Sequence, residues 1–181
     1  MSRTHGIEIG WIEDKIRDIP DFPKPGIVFK DITPVLQDRD AFKATIQLFA
    51  LEYLSQGIDR VIGVESRGFL FGAPVAFELG AGFGIVRKAG KLPWTTIART
   101  YDLEYGTATL EAHIDTVEKG ERVIVVDDLL ATGGTAAATI ALLQELGADV
   151  VGAAFLVELS FLNGRQRLAD LGVPTFAPIV Y

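Results

Sequence analysis

The sequence predicts one α/β domain over residues 1–181: a parallel sheet with helices packed on both faces. Three observations predict it. Short, uninterrupted apolar runs recur along the chain, Arg122-Val123-Ile124-Val125-Val126 being the clearest, and they lack the in–out alternation of a half-exposed strand. Segments of helical period separate these runs. The 181 residues contain no internal repeat, low-complexity tract or Gly/Ser linker, which suits a single domain.

Taken in order, residues Gly10 to Asp18 read as a short amphipathic helix. Asp21-Phe22-Pro23-Lys24-Pro25-Gly26 is turn chemistry, with prolines that fix φ and a glycine that accepts positive φ. Phe42, Ile46, Phe49 and Tyr53 fall at i, i+4, i+7 and i+11, one face of a helix. Arg60 to Val64 reads as a buried strand, Arg67 to Leu79 as a helix, and Ala81 to Val86 as a strand. Residues 89–105 show no clear period and contain Gly90, Pro93 and several threonines. An irregular segment of that length in a compact domain suits a functional lid. Tyr105 to His113 reads as a strand, followed by the strand Arg122 to Val126 and a helix from Thr135 to Leu146, which Gly147 closes. A strand over Asp149 to Val157, a helix over Asn163 to Leu171 and a strand over Pro174 to Val180 complete the chain. Parallel sheets bind ligands beyond the carboxyl ends of their strands, so functional residues are expected just after Val64, Val86, Val126 and Val157.

Composition narrows the chemistry. The chain is 49% hydrophobic and 23% charged, a globular composition. It has no cysteine, which excludes disulfides, thiolate nucleophiles and zinc–cysteine sites. Its two histidines, His5 and His113, lack ligand spacing. The first ten residues hold Arg3, His5 and Glu8 and no long apolar run, and no stretch approaches the ~18 apolar residues of a membrane span. A soluble, cytoplasmic protein is expected. The net charge of −7 argues against nucleic-acid binding, which draws most of its affinity from cations.

After Val126 the chain reads Asp127-Asp128-Leu129-Leu130-Ala131-Thr132-Gly133-Gly134-Thr135 and then enters a helix. Two acids leave the strand end. A loop of small residues follows, with two hydroxyls, two glycines and the free amides of a helix start, which together suit a phosphate monoester. A Walker loop is excluded, because Gly134 is followed by Thr135 where lysine is required. Acids beside a phosphate cradle repel the phosphate unless they hold something else, such as sugar hydroxyls or a magnesium-bound group. The region from Leu79 to Tyr101 contains no acid but carries Arg87, Lys88, Lys91 and Arg99, a local field suited to a highly charged anion. Arg67, just past a strand end, can grip phosphate oxygens in a bidentate way.

The run Val125 to Thr135 resembles the fingerprint for 5-phospho-α-D-ribose 1-diphosphate (PRPP) of the type I phosphoribosyltransferases, and its Leu-Leu-Ala-Thr-Gly-Gly-Thr form resembles the adenine branch of that family. Glu65-Ser66-Arg67-Gly68-Phe69-Leu70-Phe71-Gly72 resembles the pyrophosphate loop, Arg87 to Gly106 the flexible catalytic loop, and Phe22 to Pro34 the base-binding hood. Together with Val157-Glu158-Leu159 and Gly164-Arg165, the resemblance runs from Trp11 onward. It implies a Rossmann-like core with a small hood, about residues 1–34, and a lid, about residues 89–106. It implies an enzyme that forms AMP and pyrophosphate from adenine and PRPP in purine salvage, with magnesium on PRPP, as a homodimer. In that pattern Ala131, Thr132, Gly133, Gly134 and Thr135 hold the 5′-phosphate, and Asp127 and Asp128 face the ribose hydroxyls. Glu65, Ser66, Arg67, Arg87, Lys88 and Lys91 serve the pyrophosphate, through a cis peptide at Glu65-Ser66. Glu104, followed by Tyr105 in the lid, is the implied acid/base at the purine N7, with Arg67 and Arg87 beside it in catalysis. Phe29 and Leu159 sandwich the base, whose edge meets the backbone of Val28 and Lys30. Two positions depart from the pattern: Lys30 stands where arginine is frequent, and Trp94 where relatives carry a small residue. Two rivals are another purine specificity on the same fold and a PRPP-sensing regulator that binds nucleic acid; the second needs a basic face or an added domain.

Overall fold

The structure, a computed structural model, describes residues 3–102 and 106–181. The front of the chain consists of a hairpin of two-residue strands, β1 (Arg3–Thr4) and β2 (Ile7–Glu8), and one helical turn, α1 (Gly10–Glu13). The helix expected to reach Asp18 stops at Glu13, and Arg17–Pro20 forms strand β3, antiparallel to β4 (Val28–Asp31). Charge pairing accounts for the change. Arg17 lies opposite Asp31 and Asp18 opposite Lys30, and both pairs close as ion pairs, at 2.7 Å and 2.6 Å. Opposite charges directly across an antiparallel ladder stabilise it, and helical spacing does not reveal them.

Helices α2 (Thr33–Gln37) and α3 (Arg39–Tyr53) follow. The Asp38 carboxylate caps α3 by accepting from the amides of Asp40 and Ala41 at 3.0 Å and 2.9 Å. Ile46, Phe49 and Tyr53 form its buried face, as the spacing predicts, while Phe42 is half-buried at the margin.

The main sheet is built from β5 (Arg60–Val64), β6 (Gly82–Lys88), β7 (Thr96–Asp102), β8 (Thr107–His113), β9 (Arg122–Leu130), β10 (Asp149–Glu158), β11 (Thr175–Phe176) and β12 (Ile179–Val180). Helices α4 (Gly68–Leu79), α5 (Gly134–Glu145) and α6 (Gly164–Ala169) connect them. The strand order is β11-β10-β9-β5-β6-β8-β7, with β12 also paired to β10. Pairings from β11 to β6 are parallel, as expected. The far edge differs: β8 runs antiparallel to β6, and β7 antiparallel to β8. Residues 96–102 of the expected irregular lid are therefore strand. Thr96-Ile97-Ala98-Arg99-Thr100-Tyr101 is an edge strand of β-branched and polar residues, which a search for apolar runs passes over. The last expected strand breaks in two around Pro178, which has no amide to donate to a ladder.

Side chains alternate across the central strands, so each apolar run supplies two cores. Val61, Ile124, Val126, Ala154 and Leu156 join one core with α3 and α4; Ile62, Val64, Val123, Val125 and Phe155 join the other with α5. Strands buried on both faces lose their polar period, the pattern the sequence displays.

Candidate active site

A cavity of about 440 Å³ opens at the carboxyl end of β9, lined by Glu65, Ser66, Arg67, the acids Asp127 and Asp128, and the loop Ala131 to Thr135. Strand β9 continues through Leu130, so the acids lie within its last turns of pleat rather than beyond it, held in register by β10. Gly133 takes φ +75°, a left-handed turn that starts α5. The loop is braced from behind by α6, since a Cβ on Gly164 would collide with the Ala131 carbonyl. On the other side, a Cβ on Gly68 would stand 2.5 Å from the Val126 carbonyl, so only glycine lets α4 start this close to β9. The peptide Glu65-Ser66 is cis, as the resemblance implies.

Asp128 is 3% exposed, and its Oδ2 lies 2.8 Å from Arg67 Nε, an ion pair without hydrogen-bond alignment. Asp127 Oδ1 accepts the Asp128 amide at 2.9 Å. Burial, and after it the neighbouring Asp128 carboxylate, raises the Asp127 carboxyl well above the usual carboxylate range. Across the cavity, Glu65 gathers the cations. Its carboxylate accepts from Arg87 Nε and Nη2 at 3.2 Å and 3.3 Å and from the Lys88 amide at 3.0 Å, and it pairs with Lys91 Nζ at 3.2 Å. Burial opposes ionisation of Glu65, but these donors outweigh it and hold its carboxyl down at about 2. The Lys88 side chain is exposed. Arg99 points elsewhere, 3.5 Å from Glu145 on α5.

The hood is the β3–β4 hairpin. Val28, Lys30 and Leu159 line a second cavity of about 550 Å³ together with Tyr181. Phe29 alternates to the other face of β4, where it packs edge-on against Phe22 at 5.3 Å and lies 5.5 Å from the Arg67 guanidinium carbon. Arg67 thus touches both the hood and the acid pair. Lys30 is engaged within the hood: its ammonium pairs with Asp18 and sits 3.5 Å from the centre of the Tyr181 ring. Trp94 rests edge-on against His113 at 6.0 Å. Glu104 and Tyr105 lie outside the described residues.

A family model described as a phosphoribosyl transferase domain matches residues 35–174. The adenine phosphoribosyltransferase of Anaeromyxobacter dehalogenans is 59% identical over 162 residues, covering 90% of this chain and 94% of the relative. The crystal structure of the enzyme from Thermoanaerobacter pseudethanolicus, at 50% identity, superposes with a TM-score of 0.92 over 96% of this chain and 100% of its own. That from Saccharomyces cerevisiae, in complex with an imino-altritol bisphosphate and adenine, gives 0.89 at 39% identity over 94% of this chain and 98% of its own. The chain belongs to the adenine phosphoribosyltransferase family. As a member of that family it carries two features that sequence reasoning missed. Tyr101 Oη lies 3.0 Å from Thr135 Oγ1 on the loop. The buried Glu158 is clasped by Arg165, which also donates to the Thr175 carbonyl at 2.6 Å. The alternation of Ile97, Arg99 and Tyr101 was the available signal for the first; seven-residue spacing offers none for the second.

Proposed function

We propose that the protein transfers the phosphoribosyl group of PRPP to N9 of adenine. The bond from C1 to the diphosphate oxygen breaks, the bond from C1 to N9 forms with inversion, and the N9 proton leaves; the products are AMP and pyrophosphate. What carries this reading is the cradle Ala131–Thr135 at the start of α5, directly beside the acid pair Asp127 and Asp128, in a chain of this family.

Each part has a task. Loop amides with Thr132 and Thr135 hold the 5′-phosphate, and Asp127 and Asp128 receive the ribose hydroxyls. Arg67, Arg87, Lys88 and Lys91 surround the diphosphate as charge builds on it, with the Ser66 backbone alongside. Glu65 holds Arg87 and Lys91 in readiness, since a carboxylate cannot itself bind an anion. Glu104 assists proton movement at N7, with Tyr105 next to it in the lid that excludes water from C1. The base is read by the backbone of Val28 and Lys30, with Phe29, beside Arg67, as its stacking partner; Leu159 lies in the cavity on the other face of β4, so it closes the base site only if the hood shifts.

Among the described residues no cluster of three metal-ligating side chains exists. The paired carboxylates, with Asp128 Oδ2 outside any aligned hydrogen bond, suit magnesium that arrives on PRPP oxygens and is held by Asp127 or Asp128 through water. When bound, it neutralises diphosphate charge. A homodimer, which the family resemblance implies, and a cytoplasmic location, which the composition suggests, belong to the same proposal.

The test is a spectrophotometric assay with PRPP, magnesium and, in turn, adenine, hypoxanthine, guanine and xanthine. Turnover confined to adenine is expected. Faster turnover of an oxopurine would reassign the base.

A further inference from the structure

We propose that Tyr101 is a positioning residue for phosphate binding: its phenol orients the Thr135 hydroxyl toward the 5′-phosphate and ties the edge hairpin to the phosphate loop. The inference rests on the reading of Ala131–Thr135 as that loop.

Tyr101 and Arg99 occupy the same side of β7, two residues apart, and they reach opposite ends of α5. Arg99 meets Glu145 in the last turn, and Tyr101 meets Thr135 in the first. Between those two polar contacts lies an open cavity of about 390 Å³, floored by the small side chains Ala137, Ala138 and Ala141. The opposite side of β7 is occupied within the hairpin, where the hydroxyls of Thr100 and Thr109 lie 2.9 Å apart. Tyr101 is half-buried, with its ring against the α5 core.

A threonine hydroxyl has one proton to donate and two acceptor positions. If Tyr101 donates to Thr135 Oγ1, the Thr135 proton is free to point into the cradle. The order phenol, hydroxyl, phosphate anion is then a chain of donors in which each bond polarises the next. Thermodynamic linkage works in both directions: a phosphate that draws on Thr135 strengthens the Tyr101 contact and holds β7 against α5.

The experiment titrates AMP and pyrophosphate by calorimetry against Tyr101→Phe in three backgrounds: native, Thr135→Ser and Thr135→Val. AMP affinity is expected to fall about threefold to tenfold in the native and Thr135→Ser chains, the range for one hydrogen bond. No further fall is expected in Thr135→Val, and pyrophosphate affinity should hold in every chain. An equal fall in all three backgrounds, no fall in the native one, or a parallel fall for pyrophosphate would make Tyr101 a packing residue and overturn the proposal. Thr135→Val alone also separates the two readings. If it leaves AMP affinity unchanged, the phosphate-loop reading fails; if it weakens AMP while Tyr101→Phe is silent, only the role of Tyr101 fails.

Discussion

Asp127 and Asp128 are adjacent in sequence and differ in their partners. Asp128 is buried against Arg67, whereas Asp127 is raised by burial and by its neighbour. Glu65 is the opposite case, a carboxyl held at about 2 against an ordinary 4.5 by Arg87, the Lys88 amide and Lys91. Its folded value lies below its unfolded one, so its contribution to stability is complete above about pH 4.5 and disappears as pH falls toward 2. Urea unfolding of the native chain and of Glu65→Gln should therefore differ most above pH 5 and converge in acid; a gap independent of pH would argue that Glu65 acts through packing. The residue scale also shows where the sequence was readable. Asp127 to Thr135 are contiguous, so their shared chemistry is visible in one line of text. The contacts Glu65–Arg87 and Tyr101–Thr135 span 22 and 34 residues, and no local pattern records such pairs.

Among the elements, the central parallel strands were legible as uninterrupted apolar runs, α3 by the apolar face its spacing marks, and α4 and α5 as longer apolar segments between them. The misread pieces, β3 and β7, are edge strands held by cross-strand charge and hydroxyl pairs rather than by apolar surface. Helix α6 has an importance its length conceals. Its first residue, Gly164, backs the phosphate loop, with Gly133 in turn facing the Gly164 backbone. A methyl group at position 164 meets backbone rather than a flexible side chain. Gly164→Ala should therefore cost about 1–3 kcal/mol of stability, as overpacking does, and should weaken AMP more than adenine. Thermal unfolding with paired titrations checks this, and equal loss for both ligands would place the damage outside the loop.

Over the whole molecule, a net charge of −7 surrounds a local wall in which Arg67, Arg87 and Lys91 gather on Asp128 and Glu65. A neutral base feels little of that field, whereas a multiply charged diphosphate feels all of it. Raising salt from about 0.05 M to about 0.5 M shortens the screening length severalfold. PRPP affinity should drop by an order of magnitude or more while adenine affinity barely changes; matched salt dependence would show that the wall does not act at long range. The edge hairpin adds a constraint of parity. Arg99 and Tyr101 face α5 only because the ladder from Thr96↔His113 to Asp102↔Thr107 runs without a bulge. One residue added ahead of Tyr101 would turn the phenol to solvent and bring a hydroxyl-bearing threonine inward. Length variation within this strand is thus confined to even steps.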